Sequence, residues 1–472
     1  MSLSSAMSAA MSGLTAASRM AEVISANIAN AATPGYARRE TQLGSHAESA
    51  GVSVLGISRL QDQALLADRR IATAEQAAAA ELLRPSRRGF LETAEAALGA
   101  ADDTGGLTQR IADLDAAFLT AAAQPESEPL LAKAVQAAAD LADRIADAAR
   151  TISDARSAAD TRIGSQIDTL NTSLARVEDL NNRIMAVTAQ GGDSSALQDR
   201  RQQEIDTIAQ ILPLREVDRG NGRIALFSAG GATLIDGKAA VFGFTPAKQI
   251  TPEMTSGAGL SGLTLNGQAV DPAGRLMSGG SLATDFAIRD MLAPDVQQSL
   301  DMLAADLMAR FSANGVDPTL AQGALGLFAT NLSSDMPGLA QALQINPRLD
   351  PAAGGNLALL RDGIGAGTPG PVGNPAHILR LHQALTTANG TGQSAASHAS
   401  ALLSDIATRR LEAEADDSFT TARLSGLATS AAAQGVDSDQ ELQQLLLVEQ
   451  AFSANARVLQ VADDMIGTIL GI

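Results

Sequence analysis

The chain of 472 residues contains no cysteine and no tryptophan, and it has only one tyrosine and ten phenylalanines. Without cysteine, it can form neither disulfides nor thiolate metal sites. With so few rings, alanine and leucine must fill most of the interior, which suits closely spaced helices. Hydrophobic residues still make up 45% of the chain, which is enough for a large core and several domains.

Basic residues are scarce as well, with 34 lysines and arginines against 52 aspartates and glutamates and a net charge of −18. Phosphate backbones and anionic membranes attract clustered basic side chains, so we expect no nucleic acid and no membrane surface as a partner. The sequence has no apolar run of about 18 residues, and we therefore predict no membrane insertion. It also begins without the basic region and continuous apolar core of a cleaved signal peptide.

Residues 1–40 carry an apolar stripe whose members recur four and three residues apart. This heptad spacing is typical of a helix that packs along a seam against other helices. Pro34 is expected to end the helix, because proline lacks a backbone donor and restricts the residue before it. We predict that the larger stripe residues pack between helices or subunits: Leu3, Met7, Leu14, Ile24 and Ile28.

A second stripe with the same spacing runs through the end of the chain. Ser438 and Glu441 form an S-x-x-E pattern there, which predicts a capping box at the start of a helix. A single helix of this composition buries too little surface to be stable alone, so we expect the two terminal helices to pack together. An ordinary pair of core helices is the plainer interpretation. The predicted packing residues of the second stripe are Leu445, Val448, Phe452, Asn455, Leu459, Ile466 and Ile469.

The middle of the chain is mostly helical in pattern, with one β-rich interruption. The apolar spacing predicts a helix of about 60 residues from Leu130, whereas residues 213–280 alternate like strands and contain Asn-Gly hairpin signals. The predicted fold is mainly α, with terminal coiled-coil helices from both chain ends, a long helical-bundle rod domain and a small inserted β-rich module. We expect the module's strands to bury a small core of their own. The predicted divisions are a terminal coiled-coil domain (1–40 and 434–472), a helical rod domain (41–212, 281–312 and 376–433), the inserted outer module (213–280) and a loop-rich Gly/Pro region (313–375).

Residues with catalytic spacing are not apparent in the sequence. The four histidines are scattered, and we expect them on the surface rather than in a metal site. The sequence shows neither a serine elbow nor a recognisable pair of catalytic carboxylates. We therefore predict a protein that is not an enzyme and that holds no cofactor and no metal.

The segment ISANIANAATPGYARRE resembles the N-terminal signature of the axial proteins of the bacterial flagellum, whose common form is NNIANANTPGY. The closing segment, from GVDSDQELQQ onward, resembles their C-terminal signature, with an acidic N-cap and a Q-A-[FY]-x-A-N core. Rod, hook and junction proteins share both ends. The resemblance at the first end is carried by Asn27, Ile28, Ala29, Asn30, Thr33, Pro34, Gly35 and Tyr36.

An internal segment separates the members of this group. SALQDRR, from Ser195, resembles the N-x-L-L-D-x-R-D segment of the hook-associated protein 1 (FlgK) family, in which a β-rich region follows, as it does here. The resemblance implies a structural subunit that polymerises through its terminal helices into the junction ring between hook and filament. It also implies export without a cleaved signal and an extracellular location in the flagellum. The partners it implies are further copies of the chain, the flagellar hook protein, the second hook–filament junction protein, the flagellar export apparatus and an export chaperone.

Two other interpretations stay open at this point. A flagellar hook or rod protein would share both terminal signatures, although the SALQDRR segment and the long helix argue against it. A secreted enzyme carried on flagellar export signals would need a catalytic constellation within residues 213–375.

Overall fold

The computed structural model describes residues 3–33, 35–45, 51–79, 87–99, 103–277, 279–333, 336–390 and 392–471. Most of these residues are helical. A π-helical turn at Ile288–Leu292 joins α7 to α8, and a short 3₁₀ turn lies at Pro351–Ala353. The helices are α1 (Leu3–Asn30), α2 (Gln63–Ala79), α3 (Arg87–Leu98), α4 (Leu107–Ala123), α5 (Glu128–Ala189), α6 (Ser195–Ile211), α7 (Gly280–Ala287), α8 (Ala293–Ser312), α9 (Leu359–Asp362), α10 (Ala376–Thr386), α11 (Ala395–Ala433) and α12 (Ser438–Leu470).

The strands are short and form small sheets. An antiparallel pair, β1 and β2, follows α1 directly. Further along, a four-stranded sheet has the order β3-β4-β5-β6 and a three-stranded sheet the order β11-β10-β7. The strands are β1 (Arg39–Ser45), β2 (Val52–Arg59), β3 (Leu214–Gly220), β4 (Arg223–Ser228), β5 (Thr233–Asp236), β6 (Lys238–Ala239), β7 (Phe242–Gly243), β8 (Thr255–Ser256), β9 (Gly259–Leu260), β10 (Leu263–Leu265), β11 (Gln268–Val270), β12 (Phe328–Ala329) and β13 (Gln344–Ile345). The predicted mainly α fold is confirmed.

Helix α5 organises the middle of the molecule. It has 62 residues and would be about 93 Å long at 1.5 Å per residue. Its first half, from Leu131 to Ala159, lies in a core shared with α3, α4, α8, α10 and α11, which we call the rod core. Three phenylalanines meet there, with ring centroids 6.2 Å apart for Phe118–Phe311 and 5.5 Å apart for Phe311–Phe328, both edge to face.

The second half of α5 belongs to another core. Ile163, Ile167 and Leu170 pack in it with side chains of α6, α7 and the strands, including Leu226 and Phe242. The expectation that the strands of 213–280 bury a core of their own is therefore wrong. The strands are too short to cover one another, so the helices α5 and α6 supply the other side of this second core.

The region 313–375 is poor in regular structure, as its glycine and proline content predicts. It is nevertheless packed, because Leu327, Phe328, Leu343, Leu360 and others lie in the rod core. The predicted division into domains stays a prediction. The rod core and the second core are joined through α5 and through the continuous helical run of α7, the π-helical turn and α8.

The two terminal helices lie side by side. Asn27 of α1 contacts Glu441 of α12, and Gly13 lies against Asn455, so the helices run antiparallel. The cap of α12 differs from the prediction. Asp437, not Ser438, is the N-cap, and its carboxylate accepts from the backbone N–H groups of Asp439 and Gln440. The Glu441 side chain is therefore not needed for capping, and its carboxylate contacts residues outside α12.

Candidate assembly interface

The apolar seam between α1 and α12 is thin. Ala17, Ile24 and Val448 are its buried members, with the partly buried Ile28 and Leu445 packed beside them. The remaining predicted packing residues fall into two groups. Leu3, Met7, Leu14, Asn455, Leu459 and Ile466 are half-buried, whereas Phe452 and Ile469 are 45% and 67% exposed. The structure thus brings the first group towards the seam and leaves the second at the surface.

Helix α12 also carries a second apolar face that points away from α1. Its large side chains are exposed between 46% and 64% at Leu447, Val458, Val461 and Met465. The outer face of α1 is different, because small polar residues such as Ser8, Ser18 and Ser25 are exposed there. A row of exposed aliphatic side chains along a helix marks an interaction surface. We call this row the outer face of α12.

A buried polar cluster lies where the C-terminal end of α1 meets the N-terminal end of α12. The Asn27 amide donates to Glu441 Oε2 at 3.1 Å, and Arg38 Nε donates to Glu441 Oε1 at 2.6 Å. Asn27 and Glu441 are 1% and 0% exposed. A carboxylate buried this deeply is tolerated only when it is paired and hydrogen-bonded, as it is here. We call Asn27, Tyr36, Arg38, Arg39 and Glu441 the polar joint.

The rest of the signature segment builds the same joint. Asn27 accepts from the Tyr36 hydroxyl at 2.9 Å and from the Arg39 backbone N–H at 3.0 Å, and it donates to the Arg39 carbonyl at 2.9 Å. The Arg39 guanidinium lies 4.8 Å from the centre of the Tyr36 ring. Burial raises the pKa of Tyr36, so its hydroxyl stays protonated and donating at neutral pH. Gly35 has a φ of 80°, which glycine adopts without strain.

The other signature residues have smaller roles in the described structure. The Asn30 amide donates to the Ala26 carbonyl, and the Thr33 hydroxyl donates to Asn30 Oδ1. Ile28 is half-buried beside the seam, whereas Ala29 is exposed. Pro34 lies outside the described residues.

The internal signature segment meets the joint as well. Asp199 of α6 forms ion pairs with Arg39 at 2.6 Å and with Arg59 of β2 at 2.8 Å. Asp199 is the aspartate of the SALQDRR segment. Three segments that lie far apart in sequence therefore converge on one buried site, which links the terminal helix pair to the rod.

Sequence reasoning missed four residues of this site: Arg38, Arg39, Asp199 and Glu441. The available signal was charge in an unusual place, because Arg38 and Arg39 follow a stretch with almost no charged residues. The structure also corrects the expectation of surface histidines. His377 is 3% exposed, and its Nδ1 lies 2.8 Å from the Leu360 carbonyl. His46 lies outside the described residues.

Across the described part of the chain, histidine, aspartate and glutamate side chains form no group of three or more suited to a metal ion. Among the helices of the same residues, none has the length and apolar character needed to cross a membrane. The polar joint consists mainly of groups that hydrogen-bond to one another, with Arg39 Nε the buried atom of the joint that has no hydrogen-bond partner, and this arrangement positions helices.

Three family models match the chain. The Flagella basal body rod protein model matches residues 7–36, and the Flagellar basal body rod FlgEFG protein C-terminal model matches residues 431–472. The model of the Flagellar hook-associated protein FlgK helical domain matches residues 91–326, half of the chain. No curated protein matches the sequence. The chain is also similar to the solved flagellar hook junction protein FlgK from Burkholderia pseudomallei, with a TM-score of 0.46 and 17% identity, over 57% of this chain and 47% of that one. The matched part thus spans less than half of that protein.

The paired terminal helices, each matched by a model of flagellar rod proteins, define the class as that of the axial structural proteins of the flagellum. The match to the FlgK helical-domain model identifies the family within this class. The chain belongs to the FlgK family of flagellar hook-associated proteins.

Proposed function

We propose that this chain is the structural subunit that connects hook to filament, and that it polymerises into the junction ring through its terminal helices. The observation that carries the proposal is the outer face of α12. Its aliphatic side chains are held in a fixed helix by the seam and the polar joint, yet they have no cover in the single chain. A second copy of the helix pair supplies that cover.

The energetics favour assembly through this face. Fully burying an exposed aliphatic side chain of this size contributes about 1.5–3 kcal/mol. Because these side chains are about half exposed, each contributes about half of that, and together they offset part of the entropic cost of association. The net charge of −18 makes two copies repel at long range. Apolar contact therefore has to hold the ring together, and salt that screens the repulsion should promote assembly.

The proposed partners follow from family membership and from the site. Neighbouring copies contact the outer face of α12, while the hook protein and the second junction protein lie at the two rims of the ring. The chain reaches its place through the flagellar export apparatus, with the help of an export chaperone, without a cleaved signal. It acts outside the cell as a structural component rather than as an enzyme.

A hook or rod protein is the second candidate, because models of rod proteins match both ends. The FlgK helical-domain match over 91–326 favours the junction protein. A secreted enzyme receives no such support from residues 213–375, which contribute to the second core and to the rod core instead.

The test uses a strain that lacks the gene and is complemented with variants. Without the gene, we expect hooks without filaments and flagellin secreted as monomers. Val461→Asp places a charge on the outer face, where assembly would bury it unpaired, so we expect the same phenotype from a folded, secreted chain. Ser453→Asp, on the polar side of α12, is the matched control and should restore filaments. Normal filaments with Val461→Asp would refute assembly through this face, and filaments in the strain without the gene would refute the junction role.

A further inference from the structure

The seam between α1 and α12 does not define its own register. Its apolar residues are spaced by heptads on both helices, and many are alanine, so sliding one helix by seven residues again places apolar on apolar. The buried part is small, with Ala17, Ile24 and Val448 as its centre. Something other than apolar packing must select one alignment.

Glu441 is the first polar residue that selects one alignment of the two helices. It continues the heptad series of Leu445 and Val448, so it occupies a seam position, and it is fully buried. In the observed alignment its two carboxylate oxygens meet Asn27 and Arg38. After a slide of one heptad they would face Met20 or lie beyond the end of α1. Removing the partners of a buried charge is strongly destabilising, whereas a polar seam residue with its partner fixes register.

A second contact that selects the alignment lies two heptads away on both helices. Asn455 follows Glu441 by two heptads, and Gly13 precedes Asn27 by the same interval. Asn455 packs against Gly13 so closely that a Cβ placed on Gly13 would lie 2.7 Å from Asn455 Nδ2. Gly13 is the only glycine of α1, so a slide by one heptad would bring Asn455 against a residue that has a side chain.

We propose that the pairs Asn27–Glu441 and Gly13–Asn455 act as two register marks that allow α1 and α12 to pair in one alignment only. Arg38 is a positioning residue for the first mark, because it holds the second carboxylate oxygen of Glu441. The proposal rests on the proposed function for its purpose: a ring of many copies needs the outer face of α12 at one height in every copy. The alignment itself is a property of the single chain, so it is tested without assembly.

The test exploits the absence of cysteine, since any introduced pair reports one contact. Ile24→Cys with Leu445→Cys reports the observed register, because both side chains pack in the seam and lie at nearly the same height. Ala17→Cys with Leu445→Cys and Ile24→Cys with Phe452→Cys report slides of one heptad in either direction. In the observed register these two pairs are offset by about 9 and about 12 Å along the axis, beyond the reach of a disulfide. Each pair is placed in the full-length chain and oxidised, and the cross-linked fraction is measured.

With both marks intact, we expect the observed pair to cross-link at least tenfold faster than either slid pair. The marks are then removed by Asn27→Leu with Glu441→Leu and by Gly13→Ala with Asn455→Ala, which keep the seam apolar and helical. In this background we expect at least one slid pair to cross-link within threefold of the observed pair. The control, Ser25→Leu with Glu449→Leu, makes the same kind of change on exposed faces and should leave the preference intact.

Two results would overturn the proposal. Exclusive cross-linking of the observed pair without the marks would show that the chain connections or the apolar seam fix the register. Loss of all cross-links, with circular dichroism showing unpaired helices, would show that the marks hold the helices together rather than align them. Neither result bears on the junction role, which complementation tests separately.

Discussion

Replacing one buried carboxylate should stabilise the protein at neutral pH and leave it unchanged in acid. Asp285 of α7 is 1% exposed at the contact between α7 and the middle of α5. Burial raises the pKa of Asp285 from 3.8 to about 6, although Arg162 and Gln166 of α5 partly oppose the shift by hydrogen bonding. The folded chain therefore holds this proton more tightly than the unfolded chain does.

The sign and size of the effect follow from linkage. A raised pKa contributes stability that is fully present below pH 3.8 and is lost as the pH rises through about 6. The shift corresponds to about 3 kcal/mol at 1.36 kcal/mol per unit. Asp285→Asn removes the ionisation, so we expect a gain of about 2–3 kcal/mol at pH 8 and almost none at pH 4.

The hydrogen bonds around Asp285 can survive the change. Arg162 donates to Oδ1 from Nε at 2.9 Å and from Nη2 at 2.8 Å, and an asparagine oxygen accepts both. Gln166 now donates to Oδ2 and accepts from the Ser281 hydroxyl. If the Gln166 amide turns over, its oxygen accepts from the new asparagine amide and its nitrogen donates to Ser281. No buried group is left without a partner.

The measurement is urea unfolding of both proteins between pH 4 and pH 8, because the carboxylates that the two proteins share cancel in the difference. Asp154→Asn, which removes an exposed carboxylate from α5, the helix that Asp285 packs against, should show no such dependence on pH. A variant that is less stable at pH 8, or a difference independent of pH, would show that the charge pair with Arg162 outweighs the cost of burial.

Three further changes test the cores. Arg289→Met should cost about 3–5 kcal/mol in urea unfolding, because it leaves the buried Asp160 carboxylate without its ion pair, and adding Asp160→Leu should recover most of the loss. Replacing 213–280 by a linker should remove from the circular-dichroism melt the part that belongs to α6 and the second half of α5, since these helices lose the other side of the second core while the rod core keeps its residues, and an unchanged melt would contradict that shared core. Phe118→Ala should cost about 3–5 kcal/mol, whereas the exposed Phe419→Ala should change stability by under about 0.5 kcal/mol.

The elements that depend on local spacing could be predicted from the sequence. Heptad stripes fix α1 and α12, and the Asn-Gly pairs adopt the expected turns, with φ of 53° at Asn221 and 51° at Asn266. The long helix from Leu130 is also recovered as α5. In each case the signal lies within one element, so short-range propensity and periodicity are sufficient.

The polar joint could not be predicted, because its contacts join residues about as far apart as the chain allows. The S-x-x-E pattern at Ser438 indicated a capping role for Glu441, but Asp437 caps the helix and Glu441 binds Asn27 instead. The shared second core could not be predicted from the sequence for a related reason. Alternation shows which face of a strand is buried, but it does not identify the helix that covers that face.

The position of Tyr36 makes the joint directly observable. Tyr36 is the only tyrosine in a chain without tryptophan, and it hydrogen-bonds to Asn27 beneath the Arg39 guanidinium. Its ultraviolet emission therefore comes from one point of the molecule, at the base of the terminal helices, and needs no attached dye. Circular dichroism follows all helices together, so a urea titration recorded by both signals compares release of the terminal pair with unfolding of the rod. Separate midpoints would identify a state in which the ends are already loose while the rod is still folded.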